Sequence, residues 1–149
     1  LREYFPELES WRINFLATDI SREMLTRCRE GRYSQFEVNR GLPTPLLLKW
    51  FHQQGAYWLL DERIRNMVSF SQINLPLAWP SMPMWDLVFM RNVMIYFETE
   101  AKKSILTRVA RSLARDGYLI LGGAETTFSL YDGLVRVENL KSGYYHLRT

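Results

Sequence analysis

Strand-like apolar runs alternate with stretches of helical spacing along the first part of the chain. Residues 13–19 form an apolar run that closes on an aspartate, a pattern that predicts a strand followed by a turn. Ser21 stands where it can cap a helix, and Gly31 stands where that helix is expected to end. A second, short helix is predicted from Thr44, because this threonine cap precedes a proline suited to the first helical turn.

The pattern then changes from helical spacing to alternation. Residues 51–60 turn at Gly55 and predict a small antiparallel piece, within a β insertion at about residues 50–66. Residues 63–73 alternate between apolar and polar positions, which predicts a core strand that ends at Asn74.

The last part of the chain has the layered pattern of an α/β domain. The apolar runs 86–90 and 118–121 predict strands covered on both faces, and residues 99–116 between them have helical spacing. Two final runs, 134–140 and 144–148, predict a terminal hairpin. This order of elements predicts an α/β fold with a mainly parallel sheet and an antiparallel edge.

Composition narrows the class of protein. With 149 residues and 47% hydrophobic content, the chain has the size and apolar content of one packed domain. It has no apolar run of the roughly 18 residues that span a membrane and no secretory signal pattern, so we expect a cytoplasmic protein without membrane insertion. Cys28 is the only cysteine and has no partners at ligand spacing, so no metal site is expected. A net charge of +3 does not favour nucleic-acid binding.

Polar residues stand at the predicted carboxyl ends of the strands, where open α/β sheets bind ligands. Asp19 could accept hydrogen bonds from two ribose hydroxyls or cap the helix near Ser21, and spacing alone favours neither interpretation. Asn74 could bond to an adenine edge while Leu75 packs against the ring, although asparagine is also common where strands end. Glu125 is a further polar residue at such a strand end.

The segment from Arg91 to Phe97 is the most specific feature of the sequence. Arg91 can pair with a carboxylate, and Asn92 can bond to amino or amide groups. Tyr96 brings a hydroxyl and an aromatic face, which suits the neighbourhood of a cationic centre. Phe97 is expected to be a core residue.

Several segments, in this order, resemble the catalytic domain of the bacterial chemotaxis receptor methyltransferases, the CheR family. They are residues 17–20, 31–33, 68–75, 91–97, 116–119 and 123–125. The resemblance implies a Rossmann-like methyltransferase sheet that uses S-adenosylmethionine and releases S-adenosylhomocysteine. It also implies methyl transfer to glutamate side chains on the cytoplasmic domain of a methyl-accepting chemoreceptor.

The resemblance assigns roles to matching positions. Asp19 matches the family's ribose-binding acid, and Asn74 and Leu75 match neighbours of the adenine. Arg91 and Asn92 match residues that line the methionine end of the cofactor.

Tyr96 matches an active-site tyrosine near the departing methyl group, which makes Tyr96 and Arg91 the catalytic candidates. A glutamate carboxylate is already ionised at neutral pH, so no general base is expected. The enzyme's task would be to align the reacting groups.

The family carries a helical domain and then a strand with a glycine-rich loop before the point at which this chain begins. We therefore expect residues 1–149 to be a partial catalytic domain without the first strand, which would lie between the strands ending at Asp19 and Asn92. Unpaired strand edges would favour self-association of the isolated chain. Absence of the glycine-rich loop, which meets the methionine moiety in the family, would weaken its binding of the cofactor. The turn at residues 53–56 is shorter than the glycine-rich loop of family members that dock a receptor's C-terminal peptide, so we expect that the protein does not rely on such docking.

Three other classes of protein can be compared with this sequence. A non-catalytic signalling module could keep the same fold without turnover. A nucleic-acid methyltransferase would resemble an Asp/Asn-Pro-Pro-Tyr/Phe motif, whereas this chain has Arg91-Asn92-Val93. A dehydrogenase would carry a G-x-G-x-x-G motif, which the sequence lacks.

Overall fold

The computed structural model describes residues 4–138 and 143–148. The chain divides into two compact units, Leu1–Ile73 and Asn74–Thr149. Both mix helices and strands, so the predicted α/β class is confirmed. Among the described residues, no helix has both the length and the apolar character needed to cross a membrane.

The first unit contains two separate sheets and several short helices. Its elements are a 3₁₀ helix (Pro6–Ser10), β1 (Phe15–Asp19), α1 (Arg22–Glu30), β2 (Arg32–Ser34), α2 (Gln35–Val38), α3 (Thr44–Trp50), β3 (Phe51–Gln54), β4 (Tyr57–Leu60), α4 (Glu62–Arg65) and β5 (Val68–Gln72). Strands β1 and β5 pair in parallel, which brings Asp19 opposite Gln72. The other sheet is antiparallel in the order β2-β4-β3.

Helix α1 forms as its end signals predict. The Ser21 hydroxyl oxygen accepts a hydrogen bond from the Met24 N–H at 3.2 Å, which satisfies one of the free donors of the first turn. Gly31 ends the helix in the left-handed region, at φ 64°, where a side chain would be strained. Leu25 is the buried residue of this helix.

The antiparallel piece with its turn at Gly55 is present, but the elements around it agree only in part with those predicted from the sequence. Residues 63–66 do not begin a strand, because Asp61 caps the short helix α4 by accepting from the Arg63 N–H at 2.8 Å. The predicted short helix α3 is present, but Thr44 is its first residue and not its cap, since the cap position is Pro43, without a side-chain hydrogen bond. Strand β5 ends at Gln72, before the predicted end at Asn74.

The second unit is a four-stranded sheet with one long helix. Its elements are β6 (Trp85–Met90), a 3₁₀ turn (Met94–Tyr96), α5 (Thr99–Ser112), β7 (Leu113–Leu121), β8 (Leu134–Arg136) and β9 (Gly143–Leu147). The sheet order is β6-β7-β9-β8, with β6 and β7 parallel and the other pairs antiparallel. The core lies between α5 and the sheet and includes Ile105, Leu106, Leu113, Leu119 and Met94.

Three predictions for this unit need correction or restriction. Helix α5 ends at Ser112 rather than near residue 116, because Leu113 already pairs with Trp85 of β6, ahead of a register irregularity between β6 and β7. The terminal hairpin is present as β8 and β9, and the predicted strand residues 139 and 140 lie outside the described part. Strand β6 is not covered on both faces, since Phe89 is 69% exposed.

The sequence predicted a single, mainly parallel sheet, and this prediction is wrong for the described residues. They form three sheets, of which two contain a parallel pair. In the described residues, β1 lies at an edge of its sheet and so does β6, and each pairs with a neighbour on one side only.

Candidate functional site

Asp19 ends β1 with an exposed side chain. Its Oδ1 accepts a hydrogen bond from the Ser21 N–H at 2.7 Å, which stabilises the turn into α1. The other oxygen, Oδ2, has no hydrogen-bond partner among the described residues. The carboxylate therefore supports the turn with one oxygen and keeps the other available as an acceptor.

Gln72, opposite Asp19, secures the same loop. Its Nε2 donates to the Ile20 carbonyl at 2.8 Å, and its Oε1 accepts from the Arg22 Nε at 2.9 Å. These contacts hold the residues after Asp19 from the neighbouring strand, so the orientation of the turn does not depend on α1 alone.

Asn74 and Leu75 lie at the start of the second unit. Asn74 is half-buried, and its carbonyl accepts from the Leu77 N–H at 3.0 Å. Leu75 packs against the core cluster, and its carbonyl accepts from Trp79 Nε1 at 3.0 Å and from Arg108 at 2.8 Å. Leu75 thus has a packing role in this unit, and the Asn74 side chain has no hydrogen-bond partner among the described residues.

The loop that follows β6 presents the candidate side chains of residues 91–97 to solvent. Arg91 and Asn92 are exposed, and Tyr96 is 80% exposed. Met94 between them is buried, and Phe97 packs against the core, as expected for that residue. Neither the Arg91 guanidinium nor the Tyr96 hydroxyl has a hydrogen-bond partner in the described part of the chain. The loop is therefore anchored by apolar residues and displays polar ones.

Asn92 gives this loop an unusual backbone conformation. Its φ is 57°, in the left-handed region that asparagine tolerates better than most residues. Val93, which follows, is right-handed at φ −117° and ψ −44°. A left-handed residue next to a right-handed one turns successive backbone N–H groups toward one side, which forms a small anion-binding concavity.

The carboxylate of Glu125 fills this concavity. Its Oε1 accepts from the N–H groups of Val93 at 2.9 Å and Met94 at 2.7 Å. Its Oε2 accepts from the N–H groups of Asn92 and Gly122, both at 2.7 Å. Burial alone would raise the pKa of Glu125, but the four N–H donors outweigh it and lower the pKa below the ordinary glutamate value.

The sequence predicts that Glu125 lies at a strand end, but it does not reveal that its carboxylate accepts from these backbone N–H groups. Three of its four partners lie 31 to 33 residues earlier in the chain, and no local spacing connects them to Glu125. The signal present in the sequence was a glycine pair followed closely by an acid, at Gly122, Gly123 and Glu125.

A polar cavity of about 220 Å³ lies beside Glu125. Its lining includes Gly123, Thr126, Arg136 and Tyr145, but none of Arg91, Asn92 and Tyr96. The cavity is thus separate from the side chains predicted to bind the cofactor. In the described residues, no group of three or more His, Cys, Asp or Glu side chains could hold a metal ion.

Comparison with known proteins identifies relatives of this chain. Residues 1–141 match the family described as CheR methyltransferase, SAM binding domain. Chemotaxis protein methyltransferase Cher2 of Pseudomonas putida is 40% identical over 118 residues, which are 78% of this chain and 43% of that protein. Chemotaxis protein methyltransferase 2 of Vibrio cholerae is 31% identical over 151 residues, 97% of this chain and 51% of that protein.

A solved structure shares the fold. The chain matches the structure of the LepI complex with SAM at a TM-score of 0.50 and 9% identity, over 99% of this chain and 39% of that one. At this identity the likeness concerns the fold alone.

The chain spans about half the length, or less, of the curated relatives it matches. S-adenosylmethionine, the cofactor implied by the sequence resemblance, is the one that the family description names. The resemblance to the CheR family is confirmed by the family match. The chain belongs to the CheR methyltransferase family, and specifically to its SAM-binding domain.

Proposed function

We propose that this chain is the cofactor-binding part of a protein-glutamate O-methyltransferase. The longer protein would transfer methyl groups from S-adenosylmethionine to glutamates on the cytoplasmic domain of a methyl-accepting chemoreceptor, in the cytoplasm. Its parallel strands would belong to a Rossmann-like methyltransferase sheet. The observation that supports this best is the loop after β6, which displays Arg91, Asn92 and Tyr96 without hydrogen-bonded side-chain partners in a member of this family.

The side chains present suit the cofactor. In the first unit, Asp19 has a free acceptor oxygen, as a ribose-binding acid needs. In the second unit, Arg91 could pair with the cofactor's carboxylate, and Asn92 could bond near its amino group. Asn74 and Leu75 are proposed as adenine neighbours, with the Asn74 amide available and the Leu75 carbonyl already bonded.

When bound, the cofactor would supply an electrophilic methyl group on a sulfonium centre. The glutamate that accepts it is ionised at neutral pH, with a pKa of about 4.3, and needs no base. The chain's task is then to hold the reactants in line, which can be worth roughly 7 to 11 kcal/mol of barrier. Tyr96 is proposed as the residue beside the reacting groups, because its ring and hydroxyl are both exposed.

Methyl transfer tests the proposal directly. The full-length protein is incubated with S-adenosylmethionine labelled in the methyl group and with membranes that contain chemoreceptors of its own organism. We expect label in the receptor that mild base releases as methanol, since glutamate methyl esters are base-labile. Arg91→Ala should abolish most of the incorporation, whereas Arg111→Ala, an exposed arginine at the end of α5, should not.

Absence of incorporation by the wild-type protein would contradict the proposal and favour a non-catalytic signalling module with the same fold. Label that resists base but remains in protein would indicate methylation of another type of side chain. Equal activity of the two arginine variants would remove Arg91 from the site.

A further inference from the structure

We propose that Glu125 is a positioning residue for methyl transfer, which fixes the backbone of the loop that carries Arg91, Asn92 and Tyr96. The catalytic part of this inference rests on the proposed function. Glu125 is largely buried, with 8% of its surface exposed, and it acts through the residues it holds.

The geometry is that of an anion site occupied by the protein's own side chain. Three consecutive N–H groups, of Asn92, Val93 and Met94, donate to the two carboxylate oxygens at 2.7 to 2.9 Å. The N–H of Gly122, at the end of β7, donates to Oε2 and connects the neighbouring strand to the same group. One carboxylate thus ties the ends of two parallel strands together.

The charge of Glu125 is balanced by backbone dipoles alone. Among the described residues no lysine, arginine or histidine forms an ion pair with it, and its partners are N–H groups. A carboxylate offers two oxygens with several acceptor positions, whereas a glutamine of similar shape offers one oxygen and places two donors against the remaining N–H groups. Four donors can therefore be satisfied by glutamate and not by glutamine.

The part of the loop that Glu125 holds is the exposed part. Met94 and Phe97 anchor the loop by packing in the core, and that contact does not determine where residues 91 and 92 point. The left-handed backbone of Asn92 is less favourable than an ordinary conformation even for asparagine, so contacts with its surroundings help to maintain it. The hydrogen bond from the Asn92 N–H to Glu125 is such a contact, so loss of the carboxylate should release Arg91 and Asn92 first.

The test compares Glu125→Gln with Glu138→Gln in the full-length protein, since Glu138 is exposed and gives a matched change of charge. Hydrogen-exchange mass spectrometry follows peptides that cover residues 91–97, and methyl-transfer assays give kcat and KM. Thermal unfolding measures the folded fraction. Glu125→Asp, which keeps a carboxylate on a shorter side chain, is the conservative variant and replaces Glu125→Gln if that variant does not fold.

We expect Glu125→Gln to speed amide exchange in residues 91–97 at least tenfold and to lower kcat/KM by about 10²-fold, the cost of roughly 1 Å of misplacement. Glu125→Asp should partly restore slow amide exchange and kcat/KM, and Glu138→Gln should match the wild type in both measurements. A purely structural role would reduce the amount of folded enzyme but leave KM and the turnover of each folded molecule unchanged. That result, or unchanged exchange in residues 91–97, would overturn the inference.

The two proposals fail separately. If the wild-type protein transfers no methyl groups, the proposed function fails. Amide hydrogen exchange and binding of S-adenosylmethionine then test whether Glu125 positions the loop. Faster exchange with weaker binding in Glu125→Gln then supports positioning of the loop, and wild-type values for either one refute it.

Discussion

Gly122 lies directly against Asn92. A β carbon built on Gly122 would stand 2.5 Å from Asn92 Oδ1 and 3.0 Å from the Asn92 backbone nitrogen. It would also stand 2.7 Å from Oε2 of the buried Glu125, an oxygen that already accepts from the N–H groups of Asn92 and Gly122. The next residue, Gly123, has no atom within 4 Å of the same position. Two adjacent glycines thus face different constraints.

Gly122→Ala should destabilise the protein and Gly123→Ala should not. The new methyl group at residue 122 would push apart Asn92 and Glu125, and overpacking of this kind costs about 1 to 3 kcal/mol of unfolding free energy. The change at residue 123 should stay within about 0.5 kcal/mol, as for open surface positions. Urea unfolding of both variants measures the difference, and equal values would show that the close approach of Gly122 is not a constraint.

The stability of the protein should depend on pH through Glu125. Its pKa in the folded protein is lowered, because four N–H donors outweigh its burial, whereas the unfolded chain has the ordinary value of about 4.3. The unfolded state therefore binds the proton more readily, so the contribution of Glu125 is complete above about pH 4.3. It is lost as the pH falls through the lower value of the folded state.

Glu125→Gln removes this titrating group. Urea midpoints measured between about pH 6 and pH 3 should fall less steeply for the variant than for the wild type, although the variant is less stable at neutral pH. Parallel curves for the two proteins would mean that Glu125 has the same pKa in the folded and unfolded states.

Local signals in the sequence predicted the elements whose causes are local. Ser21 and Gly31 bound α1 because a hydroxyl cap and a left-handed glycine act within one turn. The capping pair Ser34 and Glu37 of α2 is a local signal of the same kind, a serine followed three residues later by a glutamate, although α2 is not among the predicted elements. The run 86–90 was long and apolar enough to predict β6.

Features that depend on distant partners could not be predicted in this way. The end of α5 at Ser112 follows from the pairing of Leu113 with Trp85, and a helical pattern cannot reveal it. Glu125 was one of several acids near strand ends, and its four donors come from two separate loops. The candidate residues Asp19, Asn74 and Arg91 stood out in the sequence as polar side chains at predicted strand ends, and the family resemblance assigned roles to them.

Asp19→Asn should weaken binding of S-adenosylmethionine and spare α1. The asparagine oxygen can still accept from the Ser21 N–H, whereas the second acceptor becomes an amide donor. Loss of a hydrogen bond to a charged group costs about 1.5 to 3 kcal/mol, so we expect the Kd to rise by about 10- to 100-fold. Titration calorimetry with the full-length protein measures it.

Glu23→Gln, an exposed acid in the first turn of α1, controls for the loss of negative charge near the helix start. It should leave the Kd within about twofold of the wild-type value, an energy of less than about 0.5 kcal/mol. If Asp19→Asn binds as tightly as this control, Asp19 only stabilises the turn and has no role with the ribose.

The 149-residue chain expressed alone should self-associate through β6. This strand lies at the edge of its sheet, and it exposes Leu87 by 49% and Phe89 by 69%. An open edge with apolar side chains is a template for pairing with another chain, and a charge on such a strand opposes it. Phe89→Lys should therefore shift the chain toward monomer, whereas Phe128→Lys, in a loop with 82% exposure, should not. Light scattering over a concentration series distinguishes these cases, and a parent chain that is monomeric at every concentration would contradict association through this edge.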